Sequence, residues 1–442
     1  MKQYFLSPIA IAVIIVTLVS AAYSFYYHDR PRVDAQAYDF VGWNLARGLG
    51  YIENEQNAAN PRADDAIVRV GPGYQFFLAG VYSMFGHHVW IVWILHALLR
   101  GATVYFVYAI TRFFLHNEKA SLFGAFLVGF SPDLIVINGL LLTETLFIFF
   151  LVGAVYSTLR LISSDISATR WAWIGVGLLW ACAVLTRPVA LFPLLVTVGV
   201  LLFHWRWRDA ALVVLMPLLL VGSWSYAMTQ RYDHFILTTT AGWYDLWVGN
   251  NPEATGGFEK SPVIQDFRDV TYDSTILERV GREKYFEFLF NHPFQFLELQ
   301  WRKSTLYVSS MRPGGYWIHL FAHPWDMRIT LAASLVWTLM LFAGGLAGGY
   351  LWFREKRDGT SRLFLLFAIA QPLAVIPIIV ETRYRYAFFP FLAVFAAYFV
   401  ATYVPKVSLR ILGFVFVFLG TATLYDLWYN FSDIMEKIGR VL

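Results

Sequence analysis

The sequence predicts an all-α polytopic membrane protein, a bundle of about eleven transmembrane helices, and three observations carry that prediction. Of its 442 residues 58% are hydrophobic and 14% charged, where a soluble domain carries roughly 25% charged residues. Mean hydropathy is +0.53. Apolar runs of about 20 residues, enough to cross a ~30 Å hydrocarbon core, centre near 8–27, 88–112, 119–137, 140–162, 171–186, 189–204, 210–228, 328–352, 363–380, 386–403 and 408–428. The fifth and sixth are short and meet at Arg187-Pro188. The first follows a single lysine, Lys2, and lacks a clear small-residue cleavage site, so it reads as a retained span. The third observation is charge placement. With the N-terminus inside, alternate short loops hold Lys2, Arg112, Lys119, Arg160, Arg170, Arg206, Arg208, Arg354, Lys356, Arg357, Arg362, Lys406 and Arg410, as the positive-inside rule requires.

This orientation gives three units. Residues 1–230 form an N-terminal transmembrane catalytic module containing a first outer loop, 28–73. Residues 231–324 form a long extracytoplasmic loop rich in aromatics, and 325–442 the C-terminal transmembrane helices. In the first outer loop Tyr38, Val41, Leu45 and Ala46 fall near helical spacing, which predicts a short amphipathic helix at the membrane surface. The long loop carries Trp243-Tyr244-Asp245-Leu246-Trp247-Val248-Gly249-Asn250-Asn251-Pro252 and a helical stretch around 276–290. Its dense Trp and Tyr content argues against disorder. The net charge of +4 is accounted for by the basic inner loops and does not suggest nucleic acid. The lone Cys182 sits in an apolar run and indicates no disulfide.

Every chemically interesting residue falls on the outer face. Asp34, just past the first span, reads as a general base; the competing reading is a helix N-cap. Arg69, Arg187, Arg383 and Arg385 offer planar forks suited to a phosphate. Interfacial snorkelling is their alternative role. Arg187, at the end of an apolar run, is the most telling, because charge at membrane depth usually faces a polar cavity. Glu144 opens the fourth span. It reads as a second acid in the cavity, or as a charge favourable to a helix N-terminus. Tyr74, Trp243 and Asn250 join Glu144 as substrate-binding candidates. His87, His88 and His96 show no ligand spacing, and there is no Walker loop, CxxC or HExxH. This takes ATPases, zinc proteases and redox enzymes out of consideration.

The Asp34 loop, Asn44-Leu45-Ala46-Arg47-Gly48, Arg69 with Pro72-Gly73-Tyr74, Leu142-Thr143-Glu144, Leu185-Thr186-Arg187-Pro188 and Arg383-Tyr384-Arg385 occur in this order. Together they resemble the membrane-embedded glycosyltransferases of the GT-C fold. The resemblance is to the branch of protein mannosyltransferases and lipid A aminoarabinose transferases (glycosyltransferase family 39-like). It covers about residues 25–230 well and the Arg383 region weakly. It implies a polyprenyl-phosphate sugar donor and transfer on the outer face of the plasma (inner) membrane to a glycan, lipid or protein acceptor. It also implies that Asp34 is the catalytic carboxylate and that Arg69 lies near the donor phosphate. Many relatives carry an acidic pair where this chain has Asp34-Ala35, so no role needing adjacent carboxylates is carried over.

The expected chemistry is one-step inverting displacement, with an arginine-held phosphate and the Trp243–Trp247 loop covering sugar and acceptor. No cofactor is required, and a divalent cation near Asp34 stays open. Two other classes fit the composition. A lipid-linked-sugar flippase predicts inverted repeats and broken helices, neither of which is visible in the sequence. A polysaccharide polymerase or ligase would share the outer loop and arginines but would not need the Asp34 segment.

Overall fold

The structure is a computed structural model describing residues 6–69, 71–163, 169–257, 261–265, 274–310, 320, 322–403 and 409–431. Lys2 and Lys406, two of the basic residues used for orientation, lie outside the described residues. Among the described residues all regular structure is helical. Seven helices are long and apolar enough to cross a membrane, or eight if one bent pair counts as a single span. The predicted runs at 171–186, 189–204 and 363–380 are shorter apolar helices, Arg170–Thr186, Pro188–Phe203 and Gly359–Val375.

Helix α1 (Pro8–Tyr27) leads into the long connection before the second span. There α2 (Asp34–Ala46) packs on α3 (Pro72–Phe85), and both precede the span α4 (Val89–Leu115). The amphipathic helix expected near 38–46 is α2, and it buries Tyr38, Val41 and Asn44. The sequence gives no broken helix, but the structure has one. α5 (Glu118–Gly129) and α6 (Pro132–Asn138) meet at 53°, because Pro132 lacks an N–H and its ring blocks continuation of the helix. The carbonyls exposed at the break, Val128 and Gly129, accept from the buried guanidinium of Arg100 on α4. Asp133, at the start of α6, takes Ser334 Oγ at 2.7 Å and Tyr386 Oη at 2.8 Å.

The remaining helices are α7 (Thr143–Ser163), α8 (Arg170–Thr186), α9 (Leu191–Phe203), α10 (Trp207–Tyr232), α11 (Ala241–Val248), α12 (Ser274–Asn291), α13 (Pro293–Val308), α14 (Pro324–Glu355), α15 (Gly359–Val375), α16 (Phe389–Tyr403) and α17 (Leu409–Tyr429). α16 is the most buried span. Gly348 of α14 lies so close to the Phe395 backbone of α16 that a Cβ there would collide with it, the small-residue packing by which membrane helices approach closely. At the periphery, Leu18, Leu218 and Val417 are exposed, as lipid-facing side chains are in a chain of this composition.

Candidate active site

Asp34 opens α2 but does not cap it. The N-cap is Val33, held at φ 53° with no side-chain cap hydrogen bond. A β-branched residue is strained at positive φ, and such strain persists only where the surroundings over-determine it. The turn leaves the Asp34 carboxylate facing arginines. Arg383 Nη2 donates to Asp34 Oδ2 at 2.8 Å, and Arg69 Nη1 lies 3.8 Å from Asp34 Oδ1.

Two chain crossings bring these groups together. Gly71 and Gly73 run against the Leu185 and Thr186 backbone, where any Cβ would collide. This sets the Arg69 segment on the end of α8, from which Arg187 emerges. The 3-10 turn Thr382–Phe388, at the foot of α16, then brings in Arg383. Arg69 makes a fork to Glu53, Nε and Nη2 each donating at 2.9 Å. Arg187 Nε donates to Thr143 Oγ1 and Nη2 to Glu144 Oε1, both at 2.8 Å. Arg383 Nε donates to Glu381 Oε2 at 2.7 Å and lies 3.8 Å from Glu144 Oε1. The ring of Tyr384 holds both inner guanidiniums, with Arg187 Cζ 5.1 Å and Arg383 Cζ 5.6 Å from its centroid. The result is one alternating chain: Glu53, Arg69, Asp34, Arg383, Glu144, Arg187.

Of the residues singled out in the sequence, Asp34, Arg69, Glu144, Arg187 and Arg383 therefore meet. Arg385 does not join them. It is buried and donates to the carbonyls of Ser309 at 2.6 Å and Tyr307 at 3.4 Å. Tyr74 is fully buried beneath α2, its ring edge-on to Tyr38 at 5.7 Å and its hydroxyl 3.3 Å from His96 Nε2. Trp243 packs on Tyr285 and Phe286 of α12. Asn250 is buried, its Nδ2 donating to the carbonyls of Leu246, Pro377 and Ile378 and its Oδ1 accepting from Gln300 and Lys303.

Three contributors escaped the sequence reading. Glu53 and Glu381 are the partners of Arg69 and Arg383. Lys303, on α13, is completely buried and donates to Asn250 Oδ1 at 2.7 Å, Ile378 O at 2.9 Å and Pro377 O at 3.2 Å. With Asn250 it clamps the end of α15 a few residues ahead of Arg383. The signal for Lys303 was present, since Leu299, Lys303 and Leu306 recur at helical spacing on one buried face.

The electrostatics of Asp34 follow from this geometry. Burial pushes its carboxyl up, but the guanidiniums of Arg383, Arg69 and Arg187 outweigh burial and hold it below its ordinary value. Among the described residues no group of three or more His, Cys, Asp or Glu converges as a metal site. The arrangement sets the Asp34 carboxylate among three guanidiniums, each of which also holds a glutamate. A guanidinium carries five N–H donors, so each keeps donors beyond those already used by carboxylates.

The fold is that of the GT-C class of polytopic membrane proteins. Residues 69–226 match the family model described as dolichyl-phosphate-mannose-protein mannosyltransferase. The chain is similar in structure to ArnT from Cupriavidus metallidurans, solved bound to undecaprenyl phosphate. The TM-score is 0.52 at 16% identity, covering 92% of this chain and 62% of ArnT. This chain thus spans under two thirds of the length of that relative. The apo oligosaccharyltransferase of Archaeoglobus fulgidus gives a TM-score of 0.49 at 14% identity, covering 96% of this chain and 55% of the other. No curated protein sequence matches the chain significantly. The resemblance read from the sequence thus holds at the level of the fold.

Proposed function

We propose that this protein is a membrane glycosyltransferase that moves a sugar from a polyprenyl-phosphate donor to a glycan, lipid or protein acceptor at the extracytoplasmic face, with inversion. The observation that carries this reading is the Asp34 carboxylate set against Arg69 and Arg383, with Arg187 one carboxylate further on. The GT-C fold and the family match over residues 69–226 support it.

The arginines hold the donor phosphate through their spare N–H groups and neutralise charge as it leaves. The acceptor hydroxyl attacks the anomeric carbon from the opposite side. As the new C–O bond forms, the hydroxyl proton becomes acidic and passes to an Asp34 carboxylate oxygen. The anomeric C–O bond breaks, and its electron pair departs with the polyprenyl phosphate. Glu53, Glu144 and Glu381 fix the guanidiniums in place, and Tyr384 keeps Arg187 and Arg383 in a common orientation. Transfer of a labelled sugar from a synthetic polyprenyl phosphate by purified protein tests the reading. Failure across donor sugars with folded protein overturns it.

The charge around Asp34 sets a pH dependence. A carboxyl held below its ordinary value stays ionised until pH falls through that lowered value. The ratio kcat/KM, which reports the free enzyme, is therefore expected to show no acid limb from Asp34 above about pH 4. In Arg383→Gln the strongest opposing charge is gone, burial weighs more, and the limb should move to higher pH. An unmoved limb in the pH–rate profile would remove Arg383 from the base's environment.

The sidedness is tested by thiol labelling. In a Cys182→Ser background, single cysteines at 34, 243 and 381 are expected to react with a membrane-impermeant reagent on intact cells. Those at 206 and 357 should react only after lysis. Labelling at 206 or 357 in intact cells would place the basic loops outside, contrary to the proposed orientation.

A further inference from the structure

α12 and α13 form a hairpin whose tip and outer flank are aromatic. Phe290 is 73% exposed, Phe294 86% and Leu297 63%, and Phe286 and Trp301 are exposed as well. Phe294, Leu297 and Trp301 recur at i, i+3 and i+7 and so share one stripe of α13. Phe286 and Phe290 stack at 5.9 Å on α12 and continue the stripe across the tip. Scattered exposed apolar side chains are ordinary, but a contiguous aromatic face marks a binding surface.

Its surroundings say what it binds. The opposite face of α13 carries Leu299, Lys303 and Leu306, which are buried against the body of the protein. The aromatic stripe is therefore turned away from the Asp34 cluster and is no platform for its substrates. α13 runs along the end of the span α17. The Arg302 guanidinium lies 3.7 Å from the ring centroid of Tyr429, and Ser310 Oγ is 3.3 Å from Thr423 Oγ1. On α17 and just past it, Leu424, Trp428 and Phe431 are exposed too. So are Trp325 and Ile329 at the start of α14. The hairpin stripe is thus continuous with the lipid-facing surface of a span, at the level where Trp and Tyr form interfacial belts. Toward its middle α12 turns charged, with Arg279, Arg282, Glu283 and Lys284.

We propose that the α12–α13 hairpin is a monotopic membrane contact, with Phe290, Phe294, Leu297 and Trp301 seated in the lipid leaflet beside the end of α17. This goes beyond glycosyl transfer and does not depend on it. Its consequence is mechanical. The hairpin carries Lys303, whose clamp on Pro377 and Ile378 leads into Arg383, so seating it in lipid holds the arginine cluster at a fixed height over the leaflet.

The test uses full-length Cys182→Ser protein in phosphatidylcholine nanodiscs, with single cysteines at 294, 297 and 284 carrying an environment-sensitive fluorophore. All three side chains are exposed, so substitution does not disturb the core. Position 284 lies on the polar side of α12 and serves as reference. Brominated phosphatidylcholine is expected to quench at least about half the emission at 294 and 297 and little at 284, while aqueous iodide does the reverse. Equal lipid quenching at all three positions, or iodide access at 294 and 297 like that at 284, overturns the proposal. Shielding of 294 and 297 from both quenchers means that protein covers the face, and overturns it as well. Transfer activity does not enter the readout, so a failed catalytic reading leaves this result standing.

Discussion

Asp34→Asn is expected to lower sugar transfer by about 10²–10⁴-fold, the usual contribution of a positioned general base, while donor binding holds or tightens. The two effects separate because the substitution removes a proton acceptor and an anion together. Without the carboxylate the acids that remain around the arginines are each held by one of them. Glu53 is committed to Arg69, Glu144 to Arg187 and Glu381 to Arg383. Yet the loss of one negative charge beside three guanidiniums can only favour an incoming phosphate. Asp34 is about a third exposed and its neutral isostere still accepts from Arg383, so the fold should survive. Turnover in a reconstituted assay, displacement of a labelled polyprenyl phosphate and thermal stability check the three parts. Wild-type-like turnover would remove Asp34 from the chemistry, and weakened donor binding would recast it as an organiser of the arginines.

The groups that meet in space were legible because each interrupts or borders an apolar run. Arg187 at the end of α8, Glu144 at the head of α7 and Arg69 before a Gly-Pro-Gly re-entry all do so. The capping alternative for Asp34 was open from sequence, and it fails because Val33, at positive φ, takes the N-cap position and leaves Asp34 inside the first turn. Arg383-Tyr384-Arg385 misled for a geometric reason. In a 3-10 turn of three residues per turn, positions two apart point to well-separated sides. Arg383 therefore reaches Asp34 while Arg385 reaches the carbonyls ending α13. Asn250 sits in a conspicuous aromatic motif, but its bonds run to Lys303 and the end of α15. The long loop thus touches the cluster through a clamp on the chain leading to Arg383. Helix α5–α6 was read as one span because its hydropathy is continuous; hydropathy does not register that Pro132 forces a bend.

Arg187→Ala and Arg383→Ala are expected to weaken donor use by a few kcal/mol, about 10²-fold in apparent affinity, whereas Arg47→Ala should cost under about 1 kcal/mol. The contrast rests on solvent. Arg47 pairs with Glu55, whose side chain is 61% exposed, so water screens both partners. Arg187 and Glu144 are almost wholly buried, and removing the arginine leaves a carboxylate whose nearest remaining cation is Arg383 at 3.8 Å. Stranding a buried charge costs about 3–5 kcal/mol of stability, so Arg187→Ala alone would confuse lost binding with lost folding. The double variant Arg187→Ala/Glu144→Gln separates them. Neutralising Glu144 should recover most of the stability, read as a thermal midpoint, because no unpaired anion remains. Donor use should stay low, because the phosphate still lacks its guanidinium. Recovery of both together would make Arg187 a structural counter-ion to Glu144, and equal donor effects at 47, 187 and 383 would leave the arginines as interfacial anchors. The expected outcome, stability restored and donor use not, would assign Arg187 to the phosphate.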